Sequence, residues 1–300
     1  MRILVVGFGS VGRKHAANAK VLGHDVFVYD VGKTETEVRA VLPSVSFVNK
    51  ITDLGVDASV VAVPADRRRD AFASPFGAVP VLVEKPLALD LETALTPSVV
   101  QASKAVVLRV GYNLRFHPAY RYVLESVPHL GRIATATFFV HCDKSKWPGS
   151  RYESMLFEAS HEIDLALWML GPAVVKGVVK QSDDCWTLLL QHESGASSSV
   201  VLDGIHKCGY RRGASIVGEN GASTVTWNGP EQKWAWCAIR TGEKLVSGRT
   251  SPEDTYLEEM REFLELVKRG IVDDAGVGST FAEAAAVVSI CQEAKDFGGE

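Results

Sequence analysis

The sequence has 300 residues, of which 46% are hydrophobic and 23% charged, and this composition is typical of a globular protein of about two domains. A formal net charge of −4 gives no reason to expect nucleic acid or an anionic membrane as a partner. The five cysteines are widely spaced and form no C-x-x-C pair, which favours reduced thiols over a zinc site. No apolar run approaches the length of a membrane span, and we expect a cytoplasmic protein.

A glycine-rich stretch near the start of the chain separates a predicted strand from a predicted helix. The apolar run Ile3 to Val6 predicts a strand that is covered on both faces. The G-x-G-x-x-G motif that follows consists of Gly7, Phe8, Gly9, Ser10, Val11 and Gly12. Its first glycine would allow a tight turn, the second the approach of a pyrophosphate, and the third close packing of helix on strand. The helix that runs to about Leu22 would direct its N-terminus at that pyrophosphate.

A second predicted strand ends at Asp30, which lies 18 residues after Gly12. A carboxylate at this position can accept hydrogen bonds from a ribose diol, so the whole pattern predicts dinucleotide binding. An ordinary turn is the alternative explanation of a lone glycine triplet. Asp30 should repel a 2′-phosphate, which favours NAD over NADP, whereas the nearby Lys33 weakens that preference and leaves NADP open.

Strands and helices continue to alternate up to residue 112. Pro64 ends the strand candidate Ala58 to Val63, and Glu84 directly follows the candidate Val79 to Val83. Helices are predicted from Asp66 to Phe72 and from Thr96, and a last strand over 105–110. This alternation predicts a Rossmann domain, an α/β fold with a doubly wound parallel sheet, over residues 1–112. The run Arg67 to Arg69 fits a solvated helix face, with contact to cofactor or substrate as the alternative.

The pattern changes in residues 113–300. A helix is predicted from His117 to Val127, a long strand from Gly131 to Cys142, and a helix from about Glu153 to Leu170. Six strand-like runs, the last of them Lys233 to Arg240, and two helices follow, with hairpin signals at 220–221 and 228–229. We therefore predict an α+β domain with a large, mostly antiparallel open sheet that serves substrate binding and oligomerisation.

Several strands of this second domain are apolar on both faces, as in 187–190 and 199–202. Helices can cover one face, and the other face needs a partner. We therefore expect a homodimer or homotetramer that associates through the sheet. Trp227, Trp234 and Trp236 are candidates for that surface, although core packing explains them equally well.

Glu84, Lys85 and Pro86 stand at the C-terminal end of a predicted parallel strand, where open α/β sheets bind their ligands. A lysine at this position would lie beside the nicotinamide and could exchange a proton with the substrate. A surface lysine at a strand end is the alternative. We also expect Val63, Pro64, Glu84, Lys85 and Asn113 to contact the cofactor.

A second group of candidate catalytic residues lies on the predicted helix 153–170. A spacing of three would place Glu158, His161 and Asp164 along one side of the helix. A carboxylate beside a histidine can fix its tautomer and leave the other nitrogen to exchange a proton. The spacing also resembles that of metal ligands, but nothing nearby completes a coordination shell, so we predict no metal. A polar helix face in water is the alternative.

Two further stretches carry candidate substrate contacts. Asn113 and Arg115 lie where the first domain passes into the second and would line an interdomain cleft, unless the stretch is only a linker. Trp147 offers a flat surface that suits a sugar ring, and Arg151, next to Tyr152, could hold a carboxylate or phosphate. The alternative for this second stretch is an ordinary connection between elements.

These motifs resemble, in their order along the chain, those of the glucose–fructose oxidoreductase, inositol dehydrogenase and MocA family. The likeness rests on the 7–12 glycine motif, Val83-Glu84-Lys85-Pro86-Leu87, the 111–116 stretch and His161-Glu162-Ile163-Asp164. The resemblance implies a Rossmann domain followed by an open-sheet domain, catalytic roles for Lys85 and His161, and a cis peptide before Pro86. It also implies NAD(P) as cofactor and a sugar, sugar nucleotide or cyclitol as substrate.

The sequence departs from the family pattern at three places. Glu158 lies three residues before the histidine, where many members have an aspartate four before it. The glycine-rich run that often precedes this helix is missing, and Arg68 stands where many members have a histidine. We predict an NAD-dependent dehydrogenase that acts on a carbinol or keto carbon, with a modified or nucleotide-linked sugar as the favoured substrate. Reduction of a C=N bond and a non-catalytic NAD-binding regulator are the alternatives.

Overall fold

The computed structural model describes residues 1–51, 54–68, 79–96, 107–146, 154–207, 209–271 and 276–298. The chain divides into two compact units. The first unit comprises Met1–Asn113 and Pro252–Ala285, and the second comprises Leu114–Ser251 and Ala286–Glu300. The predicted boundary after residue 112 therefore lies beside the observed one. The segment Pro252–Ala285, which we assigned to the second domain, instead joins the first unit.

The helices of the described residues, in chain order, have the following bounds. They are α1 Ser10–Val21, α2 Glu35–Val41, α3 Leu91–Ala94, α4 Pro118–Ser126, α5 Met155–Glu158, α6 Ser160–Leu170, α7 Pro252–Arg269 and α8 Phe281–Gly298. Short 3₁₀ turns lie at Ala65–Arg67, Asn113–Phe116, Val127–His129, Lys144–Lys146 and Pro230–Gln232. No helix in the described part of the chain is long and apolar enough to cross a lipid bilayer.

The first unit is built on a sheet of seven strands within the described residues. The strands are β1 Arg2–Val6, β2 Asp25–Tyr29, β3 Ser46–Phe47, β4 Ala58–Val61, β5 Val81–Val83, β6 Leu108–Val110 and β15 Ser279–Thr280. Their order is β15-β6-β5-β4-β1-β2-β3, and every pair is parallel except β15 with β6. The predicted doubly wound parallel sheet is confirmed, with its strand order reversing between β1 and β4.

The core of the first unit explains why the segment Pro252–Ala285 belongs to it. Apolar residues of β1, β2 and β4, among them Val5 and Val60, are fully buried against α1. The same core contains four residues of α7, namely Met260, Phe263, Leu264 and Leu266. Burial of one such side chain stabilises a fold by roughly 1.5–3 kcal/mol, so this face of α7 ties the helix to the first unit.

The second unit is built on a sheet of eight strands in the described residues. These are β7 Ile133–His141, β8 Ala173–Ser182, β9 Cys185–His192, β10 Ser197–Asp203, β11 Arg211–Gly218, β12 Gly221–Asn228, β13 Ala235–Arg240 and β14 Val246–Arg249. The order is β14-β13-β12-β11-β7-β10-β9-β8, and only β7 and β10 pair in parallel. The predicted large, mostly antiparallel sheet is confirmed.

The two faces of this sheet differ in burial. In β7, Ala136, Phe138 and Val140 are buried, and α6 packs on β7 and β10. Alternate residues such as Thr137 and Phe139 point to the other face, where they are only half-buried. Exposed apolar side chains lie on this second face, including Val179, Leu189, Val217 and Ile239. We refer to it below as the open face.

The structure corrects three sequence predictions in the second unit. The helix predicted over 153–170 is divided at Ala159 into α5 and α6. Lys233 and Trp234 both have a φ of 54°, a left-handed conformation that no strand can contain, so β13 begins at Ala235. Trp227 is a core residue and donates a hydrogen bond from Nε1 to the Thr250 carbonyl at 3.0 Å. It is therefore not part of an exposed surface.

Candidate active site

The glycine motif forms a turn that only glycine fits at two positions. Gly7 has a φ of 90°, and its N–H donates to the Tyr29 carbonyl at 2.8 Å, which joins the turn to β2. A Cβ on Gly7 would lie 2.9 Å from the Ala62 carbonyl oxygen. A Cβ on Gly12 would lie only 1.9 Å from the Gly7 carbonyl oxygen. Gly12 therefore lets α1 pack directly on the turn, as the motif requires for dinucleotide binding.

Asp30 is held beside this turn by two backbone hydrogen bonds. Its Oδ2 accepts the Phe8 N–H at 2.6 Å, and its Oδ1 accepts the Gly32 N–H at 2.8 Å. Gly9 is the N-cap of α1, and Ser10 and Val11 open the helix without a capping side chain among the described residues. A half-buried carboxylate fixed next to a helix N-terminus suits a ribose diol and the pyrophosphate attached to it. These residues fit a dinucleotide.

Lys33, the residue that we expected to weaken the preference for NAD, is engaged with Glu37. Its Nζ lies 3.1 Å from the Glu37 carboxylate, which also accepts the Thr34 N–H at 2.8 Å in a capping box. This hydrogen bond from Thr34, together with Lys33, lowers the pKa of the Glu37 carboxyl to about 2. The carboxylate of Glu37 is thus ionised and available to neutralise Lys33.

The loop after β4 contains a buried arginine where we expected a solvated one. Arg68 is only 3% exposed, and it donates to the Val63 carbonyl at 3.0 Å and to the Lys85 carbonyl at 3.2 Å. Pro64 is the N-cap of the 3₁₀ turn that precedes it. The solvated face predicted for this run is wrong for Arg68, although Arg67 is exposed. Arg68 links the loop after β4 to the loop after β5.

The residues after β5 combine a buried carboxylate with the candidate catalytic lysine. The peptide bond between Lys85 and Pro86 is cis, as the family resemblance implied. Glu84 is buried, and its Oε1 lies 2.7 Å from Nε2 of the fully buried His15. Burial raises the pKa of the Glu84 carboxyl, but the hydrogen bond from His15 and the charges of His15, Arg68 and Lys85 hold it below 4.5. The Glu84 carboxylate therefore faces the interior of the first unit.

His15 was not among the predicted site residues, although the sequence contains a signal for it. Gly12, His15, Ala16 and Ala19 are the buried residues of α1, and their spacing is that of one helix face. Its position on this apolar face indicates a buried histidine that needs a polar partner. Among the described residues, His15, Glu84 and Glu259 also form the one group whose ligand atoms are close enough to hold a metal ion.

Asn113 is a buried polar residue at the end of the N-terminal segment of the first unit. Its Nδ2 donates to Thr255 Oγ1 at 2.8 Å, and this hydroxyl donates in turn to the Pro252 carbonyl at 2.8 Å. The side chain of Asn113 is 3% exposed. This arrangement fixes Asn113 against the N-terminal turn of α7. A contact of Asn113 with cofactor or substrate stays a prediction.

His161 lies in the first turn of α6, in the second unit, and is 7% exposed. The single helix predicted to carry both Glu158 and His161 is wrong, because the chain leaves helical geometry at Ala159, while a contact between the two side chains stays a prediction. Glu158 instead ends α5, whose first residue, Met155, is held by a hydrogen bond from its N–H to the Asp183 carbonyl at 2.8 Å. A catalytic role for Glu158 stays a prediction.

Asp164 and Arg115 form a buried ion pair with each other. Arg115 donates from Nε and Nη2 to the two carboxylate oxygens at 2.9 and 2.7 Å, and both side chains are 1% exposed. The Arg115 guanidinium also lies over the Trp168 ring, 5.3 Å from its centroid. Neither residue has the exposure expected of a direct substrate contact. Their arrangement instead anchors the middle of α6.

A second buried pair, which the sequence analysis missed, anchors the start of α6. Glu162 Oε1 lies 3.3 Å from Nε of Arg212 on β11, and the two side chains are 0% and 6% exposed. Burial lowers the pKa of the Arg212 guanidinium, but the negative charge of Glu162, together with Tyr210, Tyr120 and Cys142, raises it. Glu162 and Asp164, one and three residues after His161, therefore both hold the helix that carries the histidine.

The predicted substrate residues Trp147, Arg151 and Tyr152 lie outside the described residues. Their contacts therefore stay predictions. The 3₁₀ turn that precedes them is held by Lys144, whose Nζ donates to Asp184 at 2.6 Å, and by Asp143, which accepts from Lys207 at 2.9 Å.

Known proteins resemble this chain in sequence and in fold. Inositol 2-dehydrogenase 2 of Paenarthrobacter aurescens is 29% identical over 252 residues, which cover 75% of each chain. UDP-N-acetylglucosamine 3-dehydrogenase of Acidithiobacillus ferrooxidans shares the fold with a TM-score of 0.81 at 19% identity, and the match covers 99% of this chain and 97% of that one. Levoglucosan dehydrogenase, solved with NADH and L-sorbose, also has a TM-score of 0.81, at 17% identity and coverage of 100% and 96%. No family model matches the sequence.

The glycine turn and the fixed Asp30 are those of a dinucleotide site, and the dehydrogenases among the sequence relatives indicate a nicotinamide-dependent dehydrogenase. The sequence relatives and the shared fold confirm the predicted resemblance to the glucose–fructose oxidoreductase, inositol dehydrogenase and MocA family.

Proposed function

We propose that the protein is an NAD-dependent oxidoreductase that acts on a CH–OH group of a sugar-like or cyclitol substrate. The observation that carries the proposal is the 2.6 Å hydrogen bond from the Phe8 N–H to Asp30, because it joins the phosphate-binding turn to the carboxylate for the ribose. The engagement of Lys33 with Glu37 supports NAD over NADP, since it reduces the positive charge open to a 2′-phosphate. When bound, the nicotinamide accepts or supplies the hydride.

Lys85 and His161 are the proposed acid–base residues. Lys85 follows a parallel strand at the end of the sheet where α/β folds bind ligands. The role of His161 is supported by the two buried ion pairs that anchor its helix at Glu162 and Asp164, because a rigid helix keeps a proton-transferring imidazole in position. In this proposal His161 exchanges the hydroxyl proton, and the Lys85 ammonium stabilises the developing negative charge on the oxygen.

The substrate class rests on the relatives. Several sequence relatives are inositol 2-dehydrogenases, and two of the structures that share the fold are UDP-N-acetylglucosamine 3-dehydrogenase and levoglucosan dehydrogenase. The finer proposal of a modified or nucleotide-linked sugar depends on Trp147, Arg151 and Tyr152.

The open face supports the proposed homodimer or homotetramer. Val179, Leu189 and Ile239 are 57%, 49% and 42% exposed there, on strands of one sheet. Apolar side chains grouped on one face are typical of an association surface. Cys142, Cys185 and Cys237 are free thiols, which supports the cytoplasmic location that we propose.

A substrate panel tests the function. Sugars, nucleotide sugars and cyclitols are incubated with NAD or NADP, and the absorbance of the reduced cofactor is followed. We expect turnover with NAD for at least one compound, and a loss of about 10²–10⁴-fold in kcat for Lys85→Met and for His161→Asn. The exposed residues Lys50 and His129 provide the matched controls Lys50→Met and His129→Asn, which should keep full activity. Binding of NADH without turnover of any compound would contradict the proposal.

A further inference from the structure

Three buried polar side chains from distant segments meet inside the first unit. His15 comes from α1, Glu84 follows β5, and Glu259 comes from α7. Their side chains are 0%, 6% and 3% exposed, and their polar atoms lie within 4.8 Å of one another. Burial of two carboxylates is unfavourable unless positive charge and hydrogen bonds compensate it. Burial of this group therefore requires compensating interactions within the fold.

The group is connected to Lys85 by hydrogen bonds. Because the Glu84 carboxylate is ionised, it accepts, and His15 Nε2 is the donor of their 2.7 Å bond. The other Glu84 oxygen accepts the backbone N–H of Lys85 at 3.2 Å. The backbone N–H of Glu84 itself donates to the Val61 carbonyl at 2.9 Å. The carboxylate of Glu84 is thus a link between α1 and the backbone of Lys85.

Arg68 bonds the carbonyl group of Lys85. Its guanidinium donates to the Lys85 carbonyl at 3.2 Å. The N–H and the carbonyl of Lys85 are therefore both bonded to buried charged side chains. The space around Glu84 is also full, since a Cβ on Gly111 would lie 3.2 Å from the Glu84 carboxylate carbon. These contacts leave the start of the Lys85 side chain little freedom.

The distances favour this hydrogen-bonded network over a metal site. Two ligands of one tetrahedral ion, each about 2 Å from it, lie more than about 3 Å apart. His15 Nε2 and Glu84 Oε1 are 2.7 Å apart, which is a hydrogen-bond distance. Arg68 and Lys85 already supply positive charge to Glu84.

We propose that His15 and Glu259 are positioning residues for Lys85. His15 holds the Glu84 carboxylate by its hydrogen bond, and Glu259 lies beside the pair within 4.8 Å. Glu84 together with Arg68 fixes the backbone that presents the Lys85 amine. The inference rests on the proposed catalytic role of Lys85 and adds two residues, neither of which belongs to the glycine motif or to the residues after β5.

The test compares His15→Ala, His15→Gln and Glu259→Gln with the unmutated enzyme. Gln at position 15 keeps an N–H that can reach Glu84. His24→Ala is the matched control, because His24 is a buried histidine of the same unit that bonds the N-terminus and not Glu84. Two readouts are measured: kcat with the KM for NAD, and the rate at which an amine-selective acylating reagent labels Lys85, followed by peptide mass spectrometry with and without NADH.

For His15→Ala we expect kcat to fall about 10- to 100-fold with a KM for NAD within about threefold, because a displaced reacting group costs rate more than binding. Glu259→Gln should show a smaller loss of the same kind, and His15→Gln should recover most of kcat. The labelling rate of Lys85 should change in His15→Ala and return in His15→Gln. His24→Ala should change neither readout.

The proposal is overturned if His15→Ala leaves both readouts unchanged, or if His15→Gln is no better than His15→Ala. One equivalent of tightly bound divalent metal in the purified protein, lost in Glu259→Gln, would also overturn it. The labelling readout separates this inference from the proposed function. If Lys85→Met is fully active while His15→Ala still alters Lys85 labelling, the catalytic role fails and the positioning stands.

Discussion

Arg115 and Asp164 form a two-bond ion pair, at 2.9 and 2.7 Å, with both side chains 1% exposed. Pairs of this geometry satisfy the planar guanidinium and both carboxylate oxygens at once. Because the partners come from a 3₁₀ turn and from the middle of α6, the pair fixes that helix within the second unit. Its main effect is on the position of α6, and hence of His161.

Asp164→Asn should destabilise the protein by about 3–5 kcal/mol, because it leaves the Arg115 charge buried without its counter-charge. Urea unfolding followed by circular dichroism measures this. The exposed pair of Arg132 and Glu219, 2.9 Å apart, supplies the control, and Glu219→Gln should cost no more than about 1 kcal/mol. Equal effects of the two variants would show that the buried pair contributes no more than an exposed one.

Gly12→Ala should abolish cofactor binding through a steric conflict. The added Cβ would lie 1.9 Å from the Gly7 carbonyl oxygen, so either the turn or α1 must move. We expect the dissociation constant for NADH, measured by fluorescence titration, to rise at least about tenfold because the close packing of helix on turn is lost. Gly177→Ala is the control, since its Cβ would meet Leu189 at an ordinary 3.5 Å. Unchanged NADH binding by Gly12→Ala would contradict the assignment of the glycine turn as the cofactor-binding site.

The first unit could be predicted well from the sequence because its signals are local. The glycine spacing, the apolar run Ile3 to Val6 and the acid at position 30 all lie within one strand–helix–strand segment. The assignment of α7 to the first unit could not be predicted. Its periodicity shows that Met260 and Phe263 face a core, but periodicity does not show which core that is.

In the second unit, the sequence pattern likewise did not identify the partners of individual side chains. The spacing of His161 and Asp164 indicated a polar group on a helix, but the partner of Asp164 is 49 residues away in sequence. The choice between a substrate and Arg115 as partner depends on the packed fold. The hydrogen bond from the Met155 N–H to the Asp183 carbonyl likewise joins two segments that helix propensity does not connect.

Asp30→Ala should reduce the discrimination between NAD and NADP. Charge-assisted hydrogen bonds contribute roughly 1.5–3 kcal/mol, so we expect NADH to bind about tenfold or more weakly and NADPH to bind no worse. The ratio of the two dissociation constants is the measurement, and Asp25→Ala, at an exposed position, is the control. Stronger binding of NADPH by the unmutated protein would refute the assignment of NAD.

His192 should make the stability of the second unit depend on pH. It is 2% exposed, with Nδ1 2.8 Å from the Gly171 carbonyl and Nε2 2.8 Å from Ser198 Oγ. Burial lowers the pKa of His192 below 6.5, an effect that outweighs the hydrogen bond to Gly171, which raises it. The unfolded chain therefore binds the proton more readily than the folded chain.

This difference in proton binding sets the direction in which stability changes with pH. The free energy of unfolding should fall as the pH decreases below about 6.5, through the interval down to the lower pKa of the folded state. His192→Gln removes this group. The difference in free energy of unfolding between the unmutated protein and the variant should therefore narrow on acidification. Urea unfolding at a series of pH values between 5 and 8 measures this difference. A difference that is constant over this range would contradict the prediction.

The open face should control assembly. Leu189 and Ile239 are 49% and 42% exposed there, whereas their neighbours Leu188 and Ala238 are buried on the opposite side of the sheet. An arginine placed at the centre of an apolar association surface must be desolvated, which opposes association. We therefore expect Leu189→Arg and Ile239→Arg to lower the mass measured by light scattering at micromolar concentration to that of a single chain. Val31→Arg, at a position 91% exposed in the first unit, should leave the mass of the assembly unchanged. A single-chain mass for the unmutated protein would refute the proposed homodimer or homotetramer.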